Sequence, residues 1–205
     1  MTSERCIYLV RHGETTGESS IRYHGRNDVP LSELGEQQVA RLIPLVQDLP
    51  FHAVLHSPLD RARVSANILL DGLRHPPGLV EEVADFTELG FGAMEGLTAE
   101  EIAVREPAWF AEWQAGRADG FPGGEKFAGF AERVQRAVDA VLARHPEGDL
   151  LLVAHKGIIK RAVGHLLGLS TEAVKRLDPS LGSLSVLSCG EQVKLERWSV
   201  LPDSS

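Results

Sequence analysis

With 205 residues, 43% of them hydrophobic and 24% charged, the chain is long enough for one domain to bury roughly 70% of the surface its unfolded form exposes, and its composition is globular rather than disordered or fibrous. A formal net charge of −8 excludes a general nucleic-acid binder, because that affinity comes from Lys and Arg neutralising phosphates; a small anion held by a few local cations stays compatible with it. No apolar stretch approaches the ~20 residues that span a bilayer, so no membrane partner is expected.

Met1-Thr2-Ser3-Glu4-Arg5 leads straight into the first apolar run with no charged-then-apolar leader. The two cysteines, Cys6 and Cys189, lie far apart in sequence and do not make a disulfide framework. Both points lead to the expectation of a cytoplasmic protein. Residues 6–13 read Cys-Ile-Tyr-Leu-Val-Arg-His-Gly. This run predicts a strand buried on both faces, and ligands in open α/β sheets sit just beyond the carboxyl ends of such strands. Arg11, His12 and Gly13 then stand where a ligand binds. They supply a permanent planar cation, a nitrogen nucleophile or acid/base, and a residue that lets backbone approach a ligand closely.

From Pro30-Leu31-Ser32 onward, Val39, Leu42, Ile43, Val46 and Leu49 recur at helical spacing. Ala53-Val54-Leu55 predicts a second strand, and Ser57 as N-cap with Pro58 at the first helical position predicts a helix over 58–70. Residues 79–80 and 83–86 read as a third strand or extended segment ending near Thr87-Glu88-Leu89-Gly90. Thr98 and Glu101 form a capping-box signal for a short helix. Residues 91–126, with Trp109, Trp113 and several Pro and Gly, read as an excursion covering a site. Phe127, Phe130, Val134, Ala137, Val138 and Val141 share one face of a long helix. Residues 150–154 predict another strand, followed by His155-Lys156-Gly157 and a helix through Leu167; residues 183–187 and 193–198 close the sheet.

This alternation predicts an α/β fold over a single domain, 1–205: a three-layer α/β/α sandwich with a mainly parallel central sheet and an antiparallel edge strand. Three strand ends then bring Arg11-His12, the junction carrying Arg61, and His155 to one edge, with Glu88 after a fourth extended segment. A phosphate monoester needs cations for its equatorial oxygens, a nucleophile in line with the leaving oxygen, and an acid to protonate that oxygen. This set supplies each part.

Leu-Val-Arg-His-Gly-Glu-Thr at 9–15 resembles the signature of the histidine phosphatase superfamily, in the branch that holds cofactor-dependent phosphoglycerate mutases, broad-specificity phosphatases and α-ribazole phosphatases. Further matches follow in the family's order: residues 26–32 after Gly25, Ser57-Pro58-Leu59-Asp60-Arg61-Ala62 with Ser65-Ala66, Glu88-Leu89-Gly90 with Glu95-Gly96, residues 122–125, and Val153-Ala154-His155. The resemblance spans residues 6 to about 168. It implies that His12 attacks phosphorus to give a phosphohistidine, that Arg11, Arg61 and His155 hold the phosphoryl oxygens, and that Glu88 protonates the leaving alkoxide and then takes a proton from water. It also implies substrate contacts from Thr15, His24, Gly25 and Lys156. No metal and no cofactor is implied, and the remaining histidines, among them His52, His56, His75, His145 and His165, form no ligand spacing.

His12 must be unprotonated to attack, and Arg11 and Arg61 are expected to lower its pKa from about 6.5. Glu88 must be protonated when it acts, and an arriving phosphate dianion is expected to load that proton. Glu95 is its competitor for the acid role. Glu18 stands where relatives commonly carry a phosphate-contacting asparagine, so it points away, is protonated, or binds a cation. Trp109 and Trp113 suit core, lid or substrate contact equally.

The implied partner is a small phosphorylated metabolite, with a homodimer left open. Three functions follow. The leading one is a metal-independent phosphomonoesterase, with α-ribazole phosphatase among its forms. The mutase alternative needs more cations in the excursion than Arg105, Arg117 and Lys126, and a longer tail to shield the phosphoenzyme. The third is a non-catalytic phospholigand-binding protein.

Overall fold

Seven elements build the part of the molecule that matters for the site: β1 (Arg5–Arg11), α1 (Glu33–Ala40), α2 (Ile43–Val46), β3 (Phe51–His56), α3 (Asp60–Gly72), β6 (Asp149–Ala154) and α7 (Lys156–Leu166). The computed structural model describes residues 5–202; residues 1–4, on which the expectation of a start without a leader rests, and residues 203–205 lie outside it. With β4 (Leu79–Glu82), β7 (Leu184–Cys189) and β8 (Val193–Val200), the strands form one six-stranded sheet in the order β4-β3-β6-β1-β7-β8. Strands β4, β3, β6 and β1 run parallel. Antiparallel pairing of β7 with β1 and of β8 with β7 completes one edge.

Strand alternation sends successive side chains to opposite faces. Ile7 and Leu9 of β1, with Leu150 and Leu152 of β6, join Phe130, Val134 and Val138 of α6 (Phe127–Arg144) and Ile159 and Val163 of α7. Val10, Leu151 and Val153 join Val39, Val46, Ala66 and Leu69 of α1–α3 on the opposite face. The result is the expected three-layer sandwich. Cys6 and Cys189 sit on neighbouring strands, but each packs against a different core and both are free thiols.

Local chemistry moved several boundaries. The helical spacing over 39–49 splits into α1 and α2, because Pro44 stands in the first turn of α2 and lacks the N–H that a continuous helix requires. The capping box at Thr98 and Glu101 forms as expected and starts α4 (Ala99–Arg105). Ser57 does not cap α3. The helix begins after Leu59, with no side-chain cap, and the Ser57 hydroxyl turns instead towards His155. The extended segment after β4 tightens into a 3-10 turn at Ala84–Phe86.

Within residues 91–126, α4 and α5 (Pro107–Gln114) surround a small core of Met94, Ile102 and Phe121. The segment is tied to the main body by pairing of β2 (Arg22–Tyr23) with β5 (Leu97–Thr98). That ribbon and α8 (Thr171–Arg176) are too short to leave a periodic signal. No described helix is long and apolar enough to cross a membrane.

Candidate active site

Strand β6 lies between β1 and β3, and neighbouring strands in a sheet are only about 4.8 Å apart. Their carboxyl ends therefore deliver Arg11 and His12, the Ser57–Arg61 junction, and His155 to one place. A cleft of about 630 Å³ opens there, lined among others by Arg11, His12, His24, Arg61, Glu88 and Lys156. The sequence-predicted charged and titratable residues thus converge, from five separate stretches of chain.

His12 is 4% exposed, and its ring stands 5.1 Å from that of His155, centroid to centroid, at 61°. Its Nδ1 lies 2.7 Å from the Gly13 carbonyl. A carbonyl only accepts, so Nδ1 donates and the lone pair resides on Nε2. Burial first, then the Arg61 and Arg11 guanidiniums, hold the His12 pKa well below the usual histidine range. The arginines act as expected, but desolvation is the larger cause.

His155 is 1% exposed and places Nε2 2.7 Å from the Ser57 hydroxyl oxygen. That oxygen already accepts from the Leu59 N–H at 3.3 Å, and among the described residues the hydroxyl has no acceptor other than His155. Ser57 therefore donates to Nε2, which puts the His155 ring hydrogen on Nδ1. Burial leads the causes that push the His155 pKa far down, followed by Arg61, His12 and Arg11.

Arg11 spends one Nη on the Pro179 carbonyl at 2.8 Å. Arg61, 2% exposed, donates to the Gly25 and Asn27 carbonyls at 2.7 and 2.8 Å and so fixes the 25–27 loop at the cleft rim. Among the described residues, three buried side-chain nitrogens lack any partner: Nε of Arg11, Nδ1 of His24 and Nδ1 of His155. All three belong to residues grouped at this site. An unpaired buried polar group is costly, so their concentration at one cleft marks a place built for a polar ligand.

Glu88 is 8% exposed and sits at the start of α7, where one carboxylate oxygen accepts from the Gly157 N–H at 2.8 Å and the other from the Leu89 N–H at 2.8 Å. A Cβ on residue 157 would lie 2.3 Å from Glu88 Oε1, so this approach requires glycine. Glu95 is engaged elsewhere: Oε1 accepts from the backbone N–H groups of Arg26 and Phe91.

Other expected residues take different positions. Gly13 packs against α1, where an added Cβ would fall 2.1 Å from the Gly35 carbonyl oxygen; its small size serves this loop-to-helix approach. Thr15 is buried with its hydroxyl 2.8 Å from Ser19 Oγ, and is not among the cleft-lining residues. Gly25 reaches the cleft in a left-handed conformation, φ 54°. His24 lines it with Nε2 donating to the Gly17 carbonyl. Lys156 lines it too, paired with Asp178 at 2.5 Å. Glu18 points out, 61% exposed and paired with Arg22 at 3.2 Å.

The cleft also holds residues the sequence did not nominate, including Tyr23, Phe91, Lys160 and Asp178. Trp113, one of the two tryptophans left open, lines it as well, stacked on Trp109 at 5.7 Å and 10°. Trp109 belongs to the small core of the excursion and is not among the lining residues. Spacing carries no signal for residues that reach a cleft only when a remote segment folds over it.

A three-layer α/β sheet whose carboxyl edge gathers two neutral histidines and two arginines defines a phosphoryl-transfer class of site. The chain belongs to the histidine phosphatase superfamily, branch 1, whose family pattern matches residues 7–200. It is 35% identical over 167 residues to the adenosylcobalamin/alpha-ribazole phosphatase of Salmonella typhimurium, covering 78% of this chain and 79% of that protein. It is 33% identical over 172 residues to a protein of Erwinia tasmaniensis named "Probable phosphoglycerate mutase GpmB", covering 83% and 79%. Among solved structures, the alpha-ribazole phosphatase of Shigella flexneri superposes with a TM-score of 0.84 at 26% identity, over 97% of this chain and 96% of that one. A mycobacterial glucosyl-3-phosphoglycerate phosphatase gives 0.83 at 26%, over 96% and 99%.

Proposed function

We propose that the protein is a metal-independent phosphomonoesterase that hydrolyses small phosphorylated metabolites through a phosphohistidine on His12. The observation that carries this reading is the pairing of an accessible lone pair on His12 with partnerless buried donors on Arg11 and His155. Nε2 of His12 attacks phosphorus while the leaving oxygen departs on the far side. The Arg11 and Arg61 guanidiniums and the His155 Nδ1–H take the charge on the equatorial oxygens, as preorganised donors that need no rearrangement in the transition state. Glu88 delivers a proton to the leaving alkoxide. It then takes one from the water that attacks the phosphohistidine, so phosphate leaves and His12 returns with its lone pair. Residues 91–126 act as the cover of the cleft, and Lys156 and the 24–25 loop as its substrate-facing rim.

Transfer to water rather than to a phosphoglycerate is favoured by the cleft's far wall, which is aromatic: Tyr23, Phe91 and Trp113. Of the three excursion cations, Arg117 is engaged by Glu112 and Lys126 by Asp119, and none of the three lines the cleft. Alpha-ribazole phosphate, the substrate type that names several relatives, has an aromatic base that suits such a wall. The free thiols of Cys6 and Cys189 accord with a reducing, cytoplasmic setting.

Wild type and His12→Ala incubated with an aryl phosphate in EDTA test the mechanism. Wild type is expected to turn over and to yield an acid-labile phosphoenzyme, and His12→Ala to do neither. Loss of wild-type activity in EDTA, or an unaffected variant, overturns the reading; isomerisation of 3-phosphoglycerate faster than its hydrolysis, with dependence on a bisphosphoglycerate, assigns the mutase instead.

A further inference from the structure

The cleft continues past its aromatic wall. A second cavity of about 710 Å³ adjoins it, and Tyr23, Leu89, Phe91, Trp113, Gly157 and Lys160 line both. Its inner surface is apolar, with Phe121 and Phe130 buried and Phe127 half-buried. Its other side is formed by α7 and α8, which contribute Lys160, Arg161 and Lys175.

Two of these cations are engaged. Lys160 donates to the Lys175 carbonyl at 2.9 Å, and Lys175 pairs with Glu172 at 2.8 Å. Arg161 differs: it is half-buried, and among the described residues it makes no hydrogen bond and no ion pair. Burial alone acts on its guanidinium, with no carboxylate near enough to offset it. Its nitrogens are not among the buried partnerless atoms, so they remain accessible, and with no protein group engaging them these donors are free to take an incoming anion. In a chain of net charge −8, three cations against the single Glu172 also make this cavity a local positive field.

We infer that the second cavity is a subsite for the far end of the leaving alcohol, and that Arg161 receives an anion there. The substrate class is a phosphomonoester whose alcohol carries a ring-sized apolar segment and, beyond it, a second anionic group. The phosphate sits at His12, the apolar segment crosses the shared Tyr23, Phe91 and Trp113 wall, and the second anion meets Arg161. The planar guanidinium fork suits a carboxylate or a phosphate equally, so the anion is specified by charge. This inference rests on the phosphomonoesterase reading of the cleft.

Steady-state kinetics on 2-naphthyl phosphate, 6-carboxy-2-naphthyl phosphate and 2,6-naphthalene bisphosphate test it, with Arg161→Gln to keep the packing and Arg161→Lys to keep the charge. Wild type is expected to prefer the anionic members in kcat/KM, the larger preference telling carboxylate from phosphate. Arg161→Gln should cut that preference about tenfold, as expected for one charge-assisted hydrogen bond, and Arg161→Lys should restore part of it. A wild type without preference, or the same preference in Arg161→Gln, overturns the subsite. Calorimetric binding of 2-naphthoate, which has ring and anion but no ester, separates the two readings. If no ester is hydrolysed yet 2-naphthoate binds wild type and not Arg161→Gln, the anion subsite stands and the phosphatase reading falls; if 2-naphthoate binds neither, the subsite falls.

Discussion

The Ser57 hydroxyl donates to Nε2 of His155 across 2.7 Å, and both groups are buried to 1% exposure or less. The consequence is electronic as well as steric, since this bond places the His155 hydrogen on Nδ1, the nitrogen with no other partner. A side chain that the sequence offered as a helix cap thereby sets the tautomer of one that does the chemistry.

Ser57→Ala is therefore expected to lower kcat about 10- to 100-fold while leaving the fold intact, because His155 loses the contact that sets its hydrogen and its orientation. Thermal unfolding and kcat measured together check it. A variant with normal kcat would mean that the ring selects its tautomer without Ser57.

Glu88→Gln keeps an oxygen for the Gly157 N–H but removes the transferable proton. General acids contribute about 10²–10⁴ in rate when the leaving group needs protonation. An alkyl phosphate should lose about that much in kcat/KM, and p-nitrophenyl phosphate, whose leaving group is already a weak base, about tenfold or less. Equal losses on both esters would remove Glu88 from the acid role.

The two histidines also predict how stability depends on pH. Burial and neighbouring cations hold the pKa of both His12 and His155 far down in the folded protein, whereas unfolded histidines titrate near 6.5. Below about pH 6.5 the unfolded chain binds more protons than the folded one, so stability falls as pH falls, by about 1.4 kcal/mol per pH unit for each histidine. Urea denaturation from pH 8 to pH 5 should show this decline, and His155→Gln should remove about half of the part owed to the pair. A variant with the wild-type slope would contradict the assignment. Activity should likewise show no acidic limb near pH 6.5 that belongs to His12.

Glu18→Asn installs the residue that the family resemblance leads one to expect at this position. Here the side chain points to solvent, and the backbone is left-handed at φ 61°, a conformation asparagine tolerates better than glutamate. kcat/KM should stay within about twofold and Tm within about 3 °C, the loss of an exposed ion pair with Arg22 being small. A tenfold gain in kcat/KM would mean that residue 18 reaches the phosphate.

Much of the molecule was legible in the chain itself. The buried strands β1, β3 and β6 are legible as short continuous apolar runs and α6 by its single apolar face at a period of 3.6, both properties of the local sequence. The nomination of Arg11, His12 and His155 follows from their place at the ends of apolar runs, where a parallel sheet presents its loops, and that of Arg61 and Glu88 as clamp and acid from the resemblance to the family. What the sequence could not decide is which residues meet across the fold. The insertion of β6 between β1 and β3 put residues 12, 57 and 155 together; it turned Ser57 from a helix cap into the partner of His155, and left Gly13 packing against α1. Folding of 91–126 against β2 brought Trp113 and Phe91 to the cleft and set them beside Lys160. Those contacts are long-range and depend on strand order and packing, which no local spacing encodes, so the sequence determined the chemical kit and the tertiary structure determined its tautomers, its walls and its reach.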